Sequence, residues 1–179
     1  MTHMADFYPY LIASLPMVHF GTRPPFSFER FLEKCRPFVP EKDFQLVSTL
    51  PRPDDCGEIT PRHPAVRRWV EFDTALRNEL VRIRATKKGI GPSAWQRPGG
   101  YSDGSLASAV VAATISPSVI DAERSLDELR WKALEHIATG HYLDLDFLIT
   151  YAFQLLILER WEKIRRAEGS VLLERALQK

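Results

Sequence analysis

Apolar positions recur every three or four residues along most of the chain, the spacing of one face of an α-helix. From Ser27 to about Arg36, Phe28, Phe31, Leu32 and Cys35 form such a face, with Ser27 as N-cap and Phe26 and Phe31 placed for a hydrophobic staple. A second short helix is predicted from Pro40 through Phe44, Leu46, Val47 and Leu50, stopping before Pro51. Pro64 opens a long helix to about Lys88, in which Val66, Trp69, Phe72, Leu76, Leu80 and Ile83 share one side and Gly89 and Gly91 end it. Small apolar residues predict a helix over about 105–115. A further helix runs from Val119 to Thr139, closed by Gly140. The last long helix is expected from about Asp144 to Ala167, followed by a short one capped by Ser170. The pattern at Phe7–Leu15 fits a short strand or a single helical segment equally.

Between Leu145 and Leu158 the pattern changes character. Apolar residues cover most of the helix circumference and leave only a stripe of Asp146, Thr150 and Gln154. A helix of that kind needs neighbours on nearly every side. The expected fold class is therefore all-α, a compact helical bundle with a near fully buried central helix at about 144–167 and a loop-rich N-terminal half. A single helical domain over 1–179 is expected, with loops at 51–63 and 89–104. The apolar run of the central helix falls short of the ~20 residues that cross a bilayer, so no direct membrane span is expected. Pro9 and Pro16 interrupt the first twenty residues, which argues against a secretion signal.

Composition narrows the function classes. The 179 residues are 45% hydrophobic and 26% charged, with 24 Lys+Arg against 23 Asp+Glu, which excludes wholesale disorder and a uniformly basic polyanion binder. Two cysteines, Cys35 and Cys56, match neither a disulfide scaffold nor a four-cysteine zinc site, and point to a reducing compartment. The charge is unevenly placed: residues 61–100 carry nine Lys/Arg and three Asp/Glu, a net +6, leaving −5 for the rest.

Candidate chemistry is sparse. His136, His141, Asp144 and Asp146 fall within eleven residues and are the types that bind zinc or a di-iron centre, yet Glu135 directly precedes His136 where carboxylate-bridged bundles need a three-residue step. Asp144 is equally explained as an N-cap. Cys35 lies on an apolar helix face, and the carboxylates beside Cys56 disfavour a thiolate. Neither a nucleophile elbow nor a Walker loop occurs. No catalytic, cofactor-binding or metal residue is assigned, and no cofactor is expected. The basic helix 64–88 offers a nucleic-acid footprint as an alternative, but Arg67, Glu71, Asp73, Arg77 and Glu79 alternate in sign as solvated helix faces do, and an acidic protein partner suits the excess equally. Asp73 with Arg77, one turn apart beside the apolar stripe, is read as a structural ion pair, as is Glu159 with Arg160.

Three blocks carry a resemblance: Tyr10-Leu11-Ile12-Ala13-Ser14-Leu15-Pro16; Phe72-Asp73-x-x-Leu76-Arg77-Asn78-Glu79-Leu80-Val81-Arg82; and Gly140-His141-Tyr142-Leu143-Asp144-Leu145-Asp146 with Ile157-Leu158-Glu159-Arg160-Trp161. Together they resemble an uncharacterised bacterial family encoded among the subunits of V-type (A/V-type) ATPases. The closing helix is also similar, more weakly, to the repeated helices of the V-type ATPase funnel component, the all-helical piece that joins the central rotor stalk to the membrane ring. That funnel is larger, with more helical units than this chain can hold. The resemblance implies a non-catalytic structural or coupling part of a rotary, proton- or sodium-translocating ATPase. It implies stalk subunits as partners and a cytoplasmic location peripheral to the inner membrane. The residues expected to meet an acidic partner are Arg67, Arg68, Arg82, Lys87 and Lys88.

Overall fold

The computed structural model describes residues 7–52, 63–99, 101 and 104–177. The protein is all-α. Among the described residues there are seven helices: α1 (Pro9–Ser14), α2 (Phe28–Cys35), α3 (Glu41–Ser48), α4 (Pro64–Lys88), α5 (Gly104–Thr114), α6 (Val119–Ala138) and α7 (Leu145–Leu177). The only β feature among them is an isolated antiparallel bridge between Phe7 and Asp144. The ambiguous opening segment is thus a helix, started by Pro9 in its first turn, where a missing N–H costs nothing. Most of the proline-rich 51–63 segment, with Cys56, lies outside the described residues. No described helix is long and apolar enough to cross a membrane.

The chain divides into two compact units, residues 1–58 with 138–179, and residues 59–137. In the first, α2 and α3 pack on each other and both pack on α7. From Leu148 to Leu158 every side chain of α7 except Gln154 is buried. Thr150, part of the expected polar stripe, is buried too. Its hydroxyl donates to the Asp146 and Phe147 carbonyls at 3.1 and 2.9 Å, so the helix satisfies its own polar atom. Phe26 and Phe31 both lie against the Tyr151 ring, with centroids 6.5 and 5.4 Å away. In the second unit, α4 packs on α5, and α4 is tied to α6 by charge.

Helix ends follow their residues closely. Ser27 accepts the Arg30 N–H at 3.2 Å, and Asp144 accepts the Phe147 N–H at 3.2 Å. Gly89 closes α4 at φ +66°, and Gly140 follows α6 at φ +85°. Pro40 is the N-cap of α3 and not its first helical residue. The short helix expected after Ser170 does not exist as a separate element, because α7 continues unbroken to Leu177. One interior glycine, Gly169, costs a helix only about 1 kcal/mol relative to alanine, which the flanking good helix formers offset.

Candidate functional site

Helix α4 presents its basic residues around a well-anchored core face. Val66, Trp69, Phe72, Leu76 and Ala85 are buried, while Arg67, Arg68, Arg82, Lys87 and Lys88 are exposed or only half-buried. The five do not form one patch. Arg67 and Lys87 are separated by twenty positions, about 30 Å along the axis, so they mark two ends of the helix. Arg82 is engaged by its neighbour: Nε and Nη2 both donate to Glu79 Oε2, at 2.8 and 2.5 Å. Arg84, outside the expected set, stands one turn before Lys87 and Lys88. Its i, i+3, i+4 spacing to the two lysines was the available signal.

The expected Asp73–Arg77 pair forms, and it belongs to a larger network. Arg77 Nε donates to Asp73 Oδ2 at 2.6 Å, and Arg130 Nε, from α6, donates to Asp73 Oδ1 at 2.8 Å. Arg130 Nη1 also donates to Asp127 Oδ1 at 2.8 Å. Asp127 has no exposed surface and Arg130 is 7% exposed. Burial alone lowers the basicity of Arg130, but the Asp73 and Asp127 carboxylates more than offset it and hold the guanidinium charged. Two carboxylates and two guanidiniums balance, which is the condition for keeping charge in an interior. Sequence reasoning missed Asp127 and Arg130, although a charged pair three positions apart amid Leu126, Trp131 and Leu134 was a usable sign.

Glu159 does not form the ion pair expected with Arg160, its immediate neighbour on the helix, whose side chain leaves the axis in a different direction. Glu159 Oε1 accepts the backbone N–H of Phe28, the first residue of α2, at 2.8 Å. Arg160, beside it, is half-buried. Further along α7, Glu162 accepts from Arg165 at 2.9 Å and from Arg166 at 3.1 Å, and Arg23 approaches to 4.0 Å. The Arg166 hydrogen bond, followed by that of Arg165 and the nearby positive charges, holds the Glu162 carboxyl below its ordinary range. Arg165 also reaches the Gly21 and Thr22 carbonyls, both at 3.4 Å.

Of the four candidate metal ligands, His136 is exposed in the last turn of α6. The other three meet in the turn before α7. His141 Nδ1 lies 2.6 Å from Asp144 Oδ2, and its Nε2 lies 3.6 Å from Asp146 Oδ2. Asp144 spends its other oxygen capping α7. Among the described residues no group of three or more His, Cys, Asp or Glu is arranged to hold a metal ion. The arrangement instead braces the start of α7, where the Tyr8 N–H also donates to the Leu143 carbonyl at 2.6 Å.

Cys35 is fully buried, and burial pushes its thiol up to about 12. Burial, and then the neighbouring Cys35, raise the Tyr151 phenol to about 12 as well, while its hydroxyl donates to the Pro16 carbonyl at 2.9 Å. At neutral pH neither is a nucleophile. In the second unit a cavity of about 250 Å³ is lined by Asn78, Glu79, Gln96, Tyr101 and Leu106, among others. The Asn78 amide fixes the loop at its edge, accepting the Arg97 N–H at 2.9 Å and donating to the Arg97 carbonyl at 2.8 Å. Tyr101 packs edge-on against Phe72 at 5.5 Å, whereas Trp95 of the same loop is 68% exposed.

Residues 108–179, most of α5 with α6 and α7, match the profile of a family described as a protein of unknown function, DUF2764. No curated protein and no solved structure matches the chain.

Proposed function

We propose that this chain is a non-catalytic structural or coupling subunit of a bacterial V-type rotary ATPase, with a funnel-like place at the central stalk. The link to that machine rests on the sequence blocks around Tyr10–Pro16, Phe72–Arg82 and Gly140–Asp146. The observation that carries the mechanical reading is how charge is used. Asp73, Arg77, Asp127, Arg130 and Glu159 join helix to helix or side chain to helix end, while Arg84, Lys87 and Lys88 at the C-terminal end of α4 are exposed. Internally closed ion pairs stiffen a body, and outward uncompensated charge selects an oppositely charged partner. Such a subunit works by shape and contact in the cytoplasm, peripheral to the inner membrane.

Affinity capture of the tagged chain from its native membranes, followed by mass spectrometry of intact complexes, tests the reading. Recovery of the large nucleotide-binding subunits in a fixed ratio to the bait is the expected result. A bait recovered without any other ATPase component overturns it.

A further inference from the structure

We infer that the C-terminal turn of α4, with the chain that folds back from it, docks an acidic protein segment carrying two or three carboxylates within one helical turn and an apolar side chain beside them. This deepens the proposed function and rests on it. Arg84, Lys87 and Lys88 stand at i, i+3 and i+4, so they form one short stripe. All three are exposed, and among the described residues none makes an ion pair or a side-chain hydrogen bond. The basic residues just upstream differ: Arg77 is held by Asp73 and Arg82 by Glu79. In this half of the helix, uncompensated charge is therefore confined to the last five residues.

The backbone then adds apolar surface to the same end. After Gly89 the Ile90 N–H returns to the Ala85 carbonyl at 3.1 Å, and Arg97 is fastened to Asn78. Between those two anchors the chain runs back beside the last turns of α4, with Ile90 49% and Trp95 68% exposed. Trp and Arg are among the side chains most enriched where protein contacts are strongest, and the cations of the last α4 turn favour carboxylates.

Charge complementarity decides the kind of occupant. A nucleic-acid backbone asks for cations along a track of phosphates, and here the track is interrupted by Glu79 and the neutralised Arg82. Attachment to an anionic bilayer asks for a cluster of about four to eight basic residues, more than this turn supplies. Three cations within one turn match carboxylates spaced the same way on a partner helix.

The test uses the full-length tagged chain on native membranes, with zero-length carbodiimide cross-linking. Amide cross-links from Lys87 or Lys88 to Asp or Glu side chains of a captured ATPase component are expected. The Arg84→Glu/Lys88→Glu variant, shown by circular dichroism melting to be folded, should recover about tenfold less ATPase at ~100 mM salt, and wild-type recovery should fall as salt rises. Lys42→Glu/Lys163→Glu, the same charge change at exposed positions elsewhere, should recover as much as wild type. If wild type brings down the ATPase, yet the α4 variant does so equally and no such cross-link forms, this surface is rejected and the proposed function stands. If wild type brings down no other ATPase component, both fall. Retention on phosphatidylglycerol vesicles or duplex DNA at ~150 mM salt that needs Arg84 and Lys88, without carboxylate cross-links, replaces the acidic segment by a bilayer or a nucleic acid.

Discussion

Glu159 on α7 accepts the backbone N–H of Phe28 at 2.8 Å, across 131 positions of sequence, and so places a carboxylate at the N-terminus of α2. The first N–H groups of a helix have no partner inside it, and the dipole there favours negative charge. Glu159→Gln keeps an acceptor but loses the charge, and should cost about 0.5–1 kcal/mol; Glu159→Ala leaves the N–H unpaired and should cost about 1–2 kcal/mol. Urea unfolding curves for the pair check this, and equal midpoints for Glu159→Ala and wild type would show that the contact contributes nothing.

The Asp73–Arg130–Asp127 network should respond asymmetrically. Asp73→Asn removes the carboxylate facing a guanidinium that is almost completely buried, and should destabilise by about 3 kcal/mol. Arg77→Ala removes a partly exposed member, leaves Arg130 paired, and should cost under about 1 kcal/mol. Denaturant titrations that rank Arg77→Ala as the more damaging change would contradict the burial assigned to Arg130.

Alkali should unfold the protein partly through Cys35. Its folded value of about 12 lies above the ordinary 9.0, so the folded state keeps the proton that the unfolded state gives up. The stabilising contribution that follows from the neutral thiol is complete below about pH 9, and the cost of ionising it in the interior erodes stability as pH rises towards 12. Tyr151 adds to the same slope between 10 and about 12. Melting temperatures from pH 8 to 11 should fall less steeply in Cys35→Ala than in wild type, whatever its stability at pH 8; parallel slopes would place the thiol in water.

Gly89 and Gly140 hold positive φ angles, and an added Cβ at either would meet no other atom within 4 Å. The penalty for Gly89→Ala or Gly140→Ala is therefore purely conformational, about 1–2 kcal/mol each. Because the two sites lie in separate units, the double variant should show the sum within about 0.5 kcal/mol, by thermal or chemical unfolding.

Local order is written in short stretches of residues. Ser27, Pro64, Gly89, Asp144 and Gly140 carry out the capping and stopping their types suggest, because those preferences arise within four or five residues of backbone. The burial of α7 is equally plain, since a helix apolar around its circumference has no other stable environment. The Asp73–Arg77 pair is legible for the same reason: one helical turn sets its distance. Ser170 is the place where local reading overreaches, taking a residue inside α7 for the N-cap of a new helix.

Contacts between distant segments are decided only by packing. No spacing rule could give Arg130 to Asp73 across 57 positions, or bring Glu159 to the Phe28 N–H at the start of α2. Nor could residue types tell that, among the described residues, no carboxylate from another segment reaches Arg84, Lys87 or Lys88, since a charge meets a partner from a distant element only through the fold. The sequence determined that this protein is helical, where most of its helices start and stop, and which of them is buried. The tertiary structure decided which charges hold it together and which are left facing outward, because an ion pair depends on the path of the whole chain through space.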